Sequence, residues 1–171
     1  EKDMDAMNPD NLAKVFAADS SGYPPCTPEA VMELLAHYQV DLAGKNVVIL
    51  GRSMVVGKPL AMMMLAKNAT VTICHSKTQN LPAIARQADV LVACVGKAKM
   101  VNAEYVSPGQ TVVDVGINMD EDGKLCGDVD FAAVESIVAR ITPAPGGVGG
   151  VTTSCLAAHV LRSAMKRAGL E

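Results

Sequence analysis

The sequence predicts an α/β domain with a doubly wound parallel sheet. Three observations carry that expectation. Short β-branched runs alternate with helix-period segments along most of the chain. The runs end in glycine or a polar turn, as strands do where ligands sit beyond their carboxyl ends. Hydrophobic residues make up 50% of the 171 residues while aromatics are only 3%, so the core is built from Val, Ile, Leu, Ala and Met. That length suits one domain with a substantial core.

The elements follow in order. Pro28 to Tyr38 reads as a helix capped by Thr27, with Val31, Leu34, Leu35 and Tyr38 on one face. Asn46 to Leu50 is the first strand, and a helix from about Lys58 to Lys67 follows. Ala69 to Cys74 is the second strand, short and β-branched as a buried parallel strand should be, before a helix from about Leu81 to Gln87. Val90 to Val95 ends in Gly96, and Thr111 to Val115 ends in Gly116. Asp120-Glu121-Asp122-Gly123 is a hairpin turn before Lys124-Leu125-Cys126. A short helix near Phe131 to Val138 leads to a strand around Arg140 to Thr142, and Thr152 to Ala168 is a long helix ending at Gly169.

The first strand runs straight into a glycine turn and a helix, Gly51-Arg52-Ser53-Met54-Val55-Val56-Gly57-Lys58-Pro59. Such a junction offers backbone N–H groups and a helix N-terminus to a phosphate. Gly51 suits the tight turn, Gly57 lets the helix approach the sheet, and Pro59 suits a first helical turn. Ser53 stands where the G-x-G-x-x-G fingerprint has its second glycine, and Gly57 comes one residue late. Read alone, the stretch is equally a plain strand-to-helix turn.

The segment after the second strand bears on which dinucleotide fits. NAD-specific folds place an acidic residue about 20 positions past the glycine turn, on the ribose 2′-hydroxyl. Here that zone is Cys74-His75-Ser76-Lys77-Thr78, with no Asp or Glu. Hydroxyls, Lys77 and the nearby Arg52 suit a 2′-phosphate that a carboxylate would repel, so the residues favour NADP over NAD. Taken singly, Arg52 and Lys77 are also ordinary solvated loop charges. A further glycine cluster, Pro145-Gly146-Gly147-Val148-Gly149-Gly150, follows the last strand; it is either a nest for anions and carbonyl oxygens or a flexible connector.

Other classes are excluded. A net charge of −3 without a Lys/Arg stripe gives no case for nucleic acid. No apolar stretch reaches the length of a membrane span, and the opening residues carry no signal-peptide pattern. Cys26, Cys74, Cys94, Cys126 and Cys155 are odd in number and form no C-x-x-C pair, and His37, His75 and His159 lie far apart. No metal site or disulfide framework is therefore expected, and the setting expected is a reducing cytoplasm, or an organelle after import. The chain opens on Glu1 rather than Met, ahead of any clear element, as a piece of a longer protein would.

Taken in order, Lys2-Asp3-Met4-Asp5-Ala6, Pro25-Cys26-Thr27-Pro28, Gly51-Arg52-Ser53 with Val56-Gly57 and Pro59, Asp114-Val115-Gly116-Ile117-Asn118, Gly127-Asp128-Val129 and Thr142-Pro143 through Gly149 resemble the bifunctional methylenetetrahydrofolate dehydrogenase/methenyltetrahydrofolate cyclohydrolase family. The resemblance runs from about Lys2 to the C-terminus and implies a Rossmann-like NAD(P)-binding domain over residues 26–171. Residues 1–25 would be the trailing edge and linker of a preceding catalytic domain. The implied chemistry is NADP-dependent oxidation of 5,10-methylene-tetrahydrofolate, then hydrolysis of the methenyl product to 10-formyl-tetrahydrofolate, within one-carbon metabolism and purine biosynthesis.

The resemblance assigns Gly51, Arg52, Ser53 and Gly57 to the cofactor turn. Ser76, Lys77 and Thr78 fall near the 2′-phosphate and Ile117 at the nicotinamide. Pro145, Gly146, Gly147, Val148 and Gly149 border the folate, and Asp5 contacts its pterin. The family's catalytic lysine and its tyrosine partner belong to the preceding domain, so no catalytic residue is expected in this chain and the chain alone is expected to be inactive. A homodimer is implied. Ala6 stands for the motif glycine and Gly150-Val151 for Pro-Met, which bears on the folate contacts. Two other readings stand beside this one: a non-catalytic nucleotide-binding or dimerisation module, and a different NADP dehydrogenase on the same fold.

Overall fold

In the computed structural model, residues 2–170 are described. Five parallel strands form the sheet: β1 (Asn46–Leu50), β2 (Thr70–Cys74), β3 (Val90–Ala93), β4 (Thr111–Asp114) and, after a small antiparallel hairpin of β5 (Asn118–Met119) and β6 (Leu125–Cys126), β7 (Arg140–Ile141). Their order is β2-β1-β3-β4-β7. The chain moves outward from β1 to β2, then crosses back to β3, so the strand order reverses between β1 and β3. In doubly wound sheets that reversal opens a crevice beyond the strand carboxyl ends.

Alternation along each strand splits the core into two layers. Val47, Ile49, Val90, Val92 and Val113 face one layer, with α2 (Cys26–His37), α3 (Gly57–Leu65) and α6 (Val148–Arg167) packed on it. Val48, Leu50, Leu91, Ala93 and Val112 face the other, covered by α4 (Leu81–Ala85), a 3₁₀ turn at Ala103–Tyr105 and α5 (Phe131–Val134). Side chains of a strand alternate faces, so one apolar run supplies both layers. Each buried Leu or Ile contributes about 1.5–3 kcal/mol.

Several expectations need correction. A helix absent from the sequence reading, α1 (Pro9–Phe16), is capped by the Asn8 side chain accepting from the Asp10 N–H at 2.9 Å. Helix α2 starts at Cys26 with Pro25 at its cap, so Thr27 lies inside it, and Tyr38 is 60% exposed beyond its end. Strand β2 is an edge strand, with Thr70 and Thr72 exposed, because the chain reverses direction there. Helix α6 begins at Val148, so Gly149 and Gly150 form its first turn. Glycine is tolerated there because packing by Val148 and Cys155 supplies what propensity lacks. Among the described residues, no helix is long and apolar enough to cross a membrane.

Candidate functional site

The crevice at the strand reversal is built by the turn after β1. Gly51 has φ +132°, and a Cβ there would lie 2.3 Å from the Cys94 carbonyl oxygen. Gly57 has no room either, since its Cβ would sit 2.2 Å from the Gly51 carbonyl oxygen. The two glycines let the turn, the start of α3 and the end of β3 close on one another. The Ser53 hydroxyl accepts from the Val56 N–H at 3.0 Å and so fixes the turn, while its own O–H remains free to donate.

A pocket of about 300 Å³ opens beside this turn, lined by Gly51, Arg52, Ser53, His75, Ser76 and Lys97 together with apolar side chains. No carboxylate lines it. Arg52 and Ser76 are thus brought together, as the sequence reading expects, and Lys97 adds a second cation from the loop after β3. Lys77 and Thr78 are not among the lining residues. They build the neighbouring turn instead. The Thr78 hydroxyl accepts from the His75 N–H at 2.9 Å, and the Lys77 N–H donates to His75 Nδ1 at 3.1 Å. A ring nitrogen that accepts leaves Nε2 as the N–H of the neutral imidazole. Gly57 is buried beneath the turn.

A second pocket, of about 230 Å³, lies further along the same sheet edge. Ile117 meets Pro145, Gly146, Gly147, Val148 and Gly149 there, with Asp114 and Leu125. The first turn of α6 opens onto this space with no side-chain cap on its N–H groups, so the helix end is available to an acceptor. Ile117 is 74% exposed, a large apolar surface at the mouth. Asp5 lines neither pocket. Its Oδ1 accepts from the Cys26 N–H at 2.9 Å, which docks it on the start of α2.

Sequence reasoning missed the groups that hold these loops. Asp128 is fully buried; its Oδ2 accepts from the Val95 and Gly96 N–H groups at 2.6 and 3.0 Å, and its Oδ1 from the Lys97 N–H at 2.8 Å and the Asn118 amide at 2.9 Å. Asp114 Oδ1 accepts from Gly116 and Asp128 N–H groups and its Oδ2 from Val129, at 2.9–3.0 Å. Burial pushes the Asp114 carboxyl above its ordinary value, against the pull of those three N–H groups. A signal was present: each carboxylate interrupts an apolar or glycine triplet, Val113-Asp114-Val115 and Gly127-Asp128-Val129. Burial pushes the Cys94 thiol, which lies against Gly51, up to about 12.

Comparison with known proteins is consistent with this geometry. The model of the tetrahydrofolate dehydrogenase/cyclohydrolase NAD(P)-binding domain matches residues 25–168. The bifunctional protein FolD of Clostridioides difficile is 60% identical over 163 residues, covering 95% of this chain and 57% of that protein. The crystal structure of the bifunctional FolD dehydrogenase/cyclohydrolase from Campylobacter jejuni superposes with a TM-score of 0.95 at 44% identity, covering 97% of this chain and 59% of that one. The Trypanosoma brucei dehydrogenase-cyclohydrolase, solved with NADP cofactor and an inhibitor, superposes with a TM-score of 0.90 at 37% identity, covering 99% and 60%. The chain spans a little under three fifths of the length of the curated relatives it matches.

Proposed function

This chain belongs to the tetrahydrofolate dehydrogenase/cyclohydrolase family, as its NAD(P)-binding domain, and on that premise we propose that it binds NADP beside Gly51 for an enzyme that oxidises 5,10-methylene-tetrahydrofolate to the methenyl form and hydrolyses that to 10-formyl-tetrahydrofolate. The observation that carries the choice of NADP is the pocket's lining: Arg52, Lys97, Ser53 and Ser76 with no carboxylate. A 2′-phosphate gains charge-assisted hydrogen bonds from such a set, whereas the 2′-hydroxyl of NAD wants an acceptor that is missing.

Each residue then has a task. Gly51, Arg52 and Ser53 receive the cofactor phosphates, with Gly57 allowing α3 to approach. Ser76 faces the 2′-phosphate, and Lys77 and Thr78 build the turn that presents it. Ile117 covers the nicotinamide end, and Pro145 to Gly149 border the folate, with Asp5 on the pterin. Bound NADP supplies the hydride acceptor. The chain's own part is orientation, because hydride transfer requires the two rings at near-attack distance. The family resemblance assigns the proton-transfer lysine and its tyrosine partner to a preceding domain; His75, the one imidazole at the crevice, has its Nδ1 occupied by the Lys77 N–H. The working unit is a homodimer in the cytoplasm, serving one-carbon supply for purine biosynthesis.

Calorimetric titration with NADP and with NAD tests the reading. Preference for NADP is expected. Equal affinity for both removes the basis for the 2′-phosphate assignment, and binding of neither in the full-length protein removes the cofactor assignment altogether.

A further inference from the structure

Away from both pockets, a buried polar cluster joins the two ends of the chain. His159 is 4% exposed, about three turns along α6 from the glycine loop that starts the helix. Its Nδ1 lies 2.7 Å from the Met4 carbonyl oxygen and its Nε2 lies 2.6 Å from Glu29 Oε2 on α2. A carbonyl oxygen only accepts, so Nδ1 must carry a hydrogen. The Nε2–Oε2 approach is a close polar contact rather than an aligned hydrogen bond. Burial pushes the Glu29 carboxyl up, and the neighbouring His159 only partly offsets it.

The cluster is walled. The Tyr23 ring packs 4.9 Å from the imidazole, and the Arg162 guanidinium lies 5.3 Å from the Tyr23 ring centre. The Cys26 thiol donates to the same Met4 carbonyl at 3.5 Å. Directly after Met4 comes Asp5, exposed to solvent with Oδ1 docked on the Cys26 N–H. Ala6, buried at φ +51°, turns the chain away again. The Met4 carbonyl is thus the last point at which α6 grips the chain before the Asp5 carboxylate.

We propose that His159 is a positioning residue: through the Met4 carbonyl it sets Asp5 in register with α6, and so with the glycine loop at the start of the same helix. One rigid helix then carries both borders of the folate site. The proposal rests on the assignment of Asp5 to the folate made above. It adds a residue that touches neither folate nor cofactor but fixes the distance between the groups that do.

The test uses the full-length enzyme and two polar variants that separate the ring nitrogens. An Asn amide reaches the Nδ1 position and still donates to Met4, whereas a Gln amide reaches only toward Glu29. His159→Gln is expected to raise KM for 5,10-methylene-tetrahydrofolate about tenfold, the effect of one lost hydrogen bond, while His159→Asn stays within about twofold. Neither is expected to change NADP affinity. Asp5→Ala is the reference and is expected to raise the same KM. Equal KM values for the Asn and Gln variants overturn the proposal, as does a parallel loss of NADP affinity in both, which marks a merely structural role. An unchanged KM in Asp5→Ala overturns the folate assignment of Asp5, and the proposal with it. Wild-type KM in His159→Gln beside a raised KM in Asp5→Ala overturns the positioning role alone.

Discussion

The Asp128 backbone N–H donates to Asp114 Oδ1 at 3.0 Å, while the Asp128 carboxylate turns the other way and takes the Val95, Gly96 and Lys97 N–H groups. Two buried aspartates thus pass a chain of hydrogen bonds from β4 to the loop after β3. That loop carries Lys97 into the cofactor pocket.

Asp128→Asn should therefore weaken both fold and pocket. An amide presents an NH₂ group where a carboxylate oxygen accepted, which leaves at least one loop N–H unpaired. The expected loss is about 2–4 kcal/mol of stability, read as a lower urea midpoint. NADP affinity should fall with it. An unchanged midpoint would show that the network carries no stability.

Arg52→Ala isolates the charge at the crevice. Arg52 is exposed and makes no ion pair among the described residues, so its removal should leave the fold intact. NADP affinity should fall by about 1.5–3 kcal/mol through loss of a charge-assisted contact, and NAD affinity by much less. Equal losses in a titration would sink the 2′-phosphate role.

Gly57→Ala places a methyl 2.2 Å from the Gly51 carbonyl oxygen, against the backbone of the Gly51–Arg52 peptide. Relief requires α3 to move off the turn. About 1–3 kcal/mol of destabilisation is expected in thermal or urea unfolding, with cofactor affinity reduced because Gly51 moves too. A variant as stable as the parent would mean the contact is easily relieved.

Alkaline pH should destabilise the domain. Burial pushes the thiols of Cys26 and Cys94 up to about 12 and that of Cys155 to about 11, against an ordinary value of 9.0. Between pH 9 and 11 the unfolded chain releases these protons while the folded chain keeps them. The native state then binds more protons than the unfolded one, so stability falls as pH rises through that window. Urea midpoints across it should decline, and less steeply in Cys155→Ser. A flat profile would contradict the burial of these thiols.

Local pattern made much of this protein legible. The unbroken apolar run Val47 to Leu50, buried on both faces, the glycine turn after it and the hairpin around Asp120 to Gly123 are each written in neighbouring residues, where sterics act directly. The acid-free segment after β2 was readable for the same reason, whereas the meeting of Ile117 with the glycine cluster was not. Helix α1 was missed although its signals are local, the Asn8 cap and Pro9 at its start; it is one short amphipathic segment with no buried residue.

The sequence by itself determined the strands, the aliphatic two-sided core and the polar character of the cofactor crevice, since each is written in neighbouring residues. Only the tertiary structure decided that β2 lies at the edge, that Asp128 organises the loop bearing Lys97, and that His159 meets Met4 and Glu29. Those contacts join residues 31 to 155 positions apart. They arise from strand order and helix packing, which bring distant groups together irrespective of their local pattern, and a buried carboxylate or imidazole finds its partners only once that packing exists.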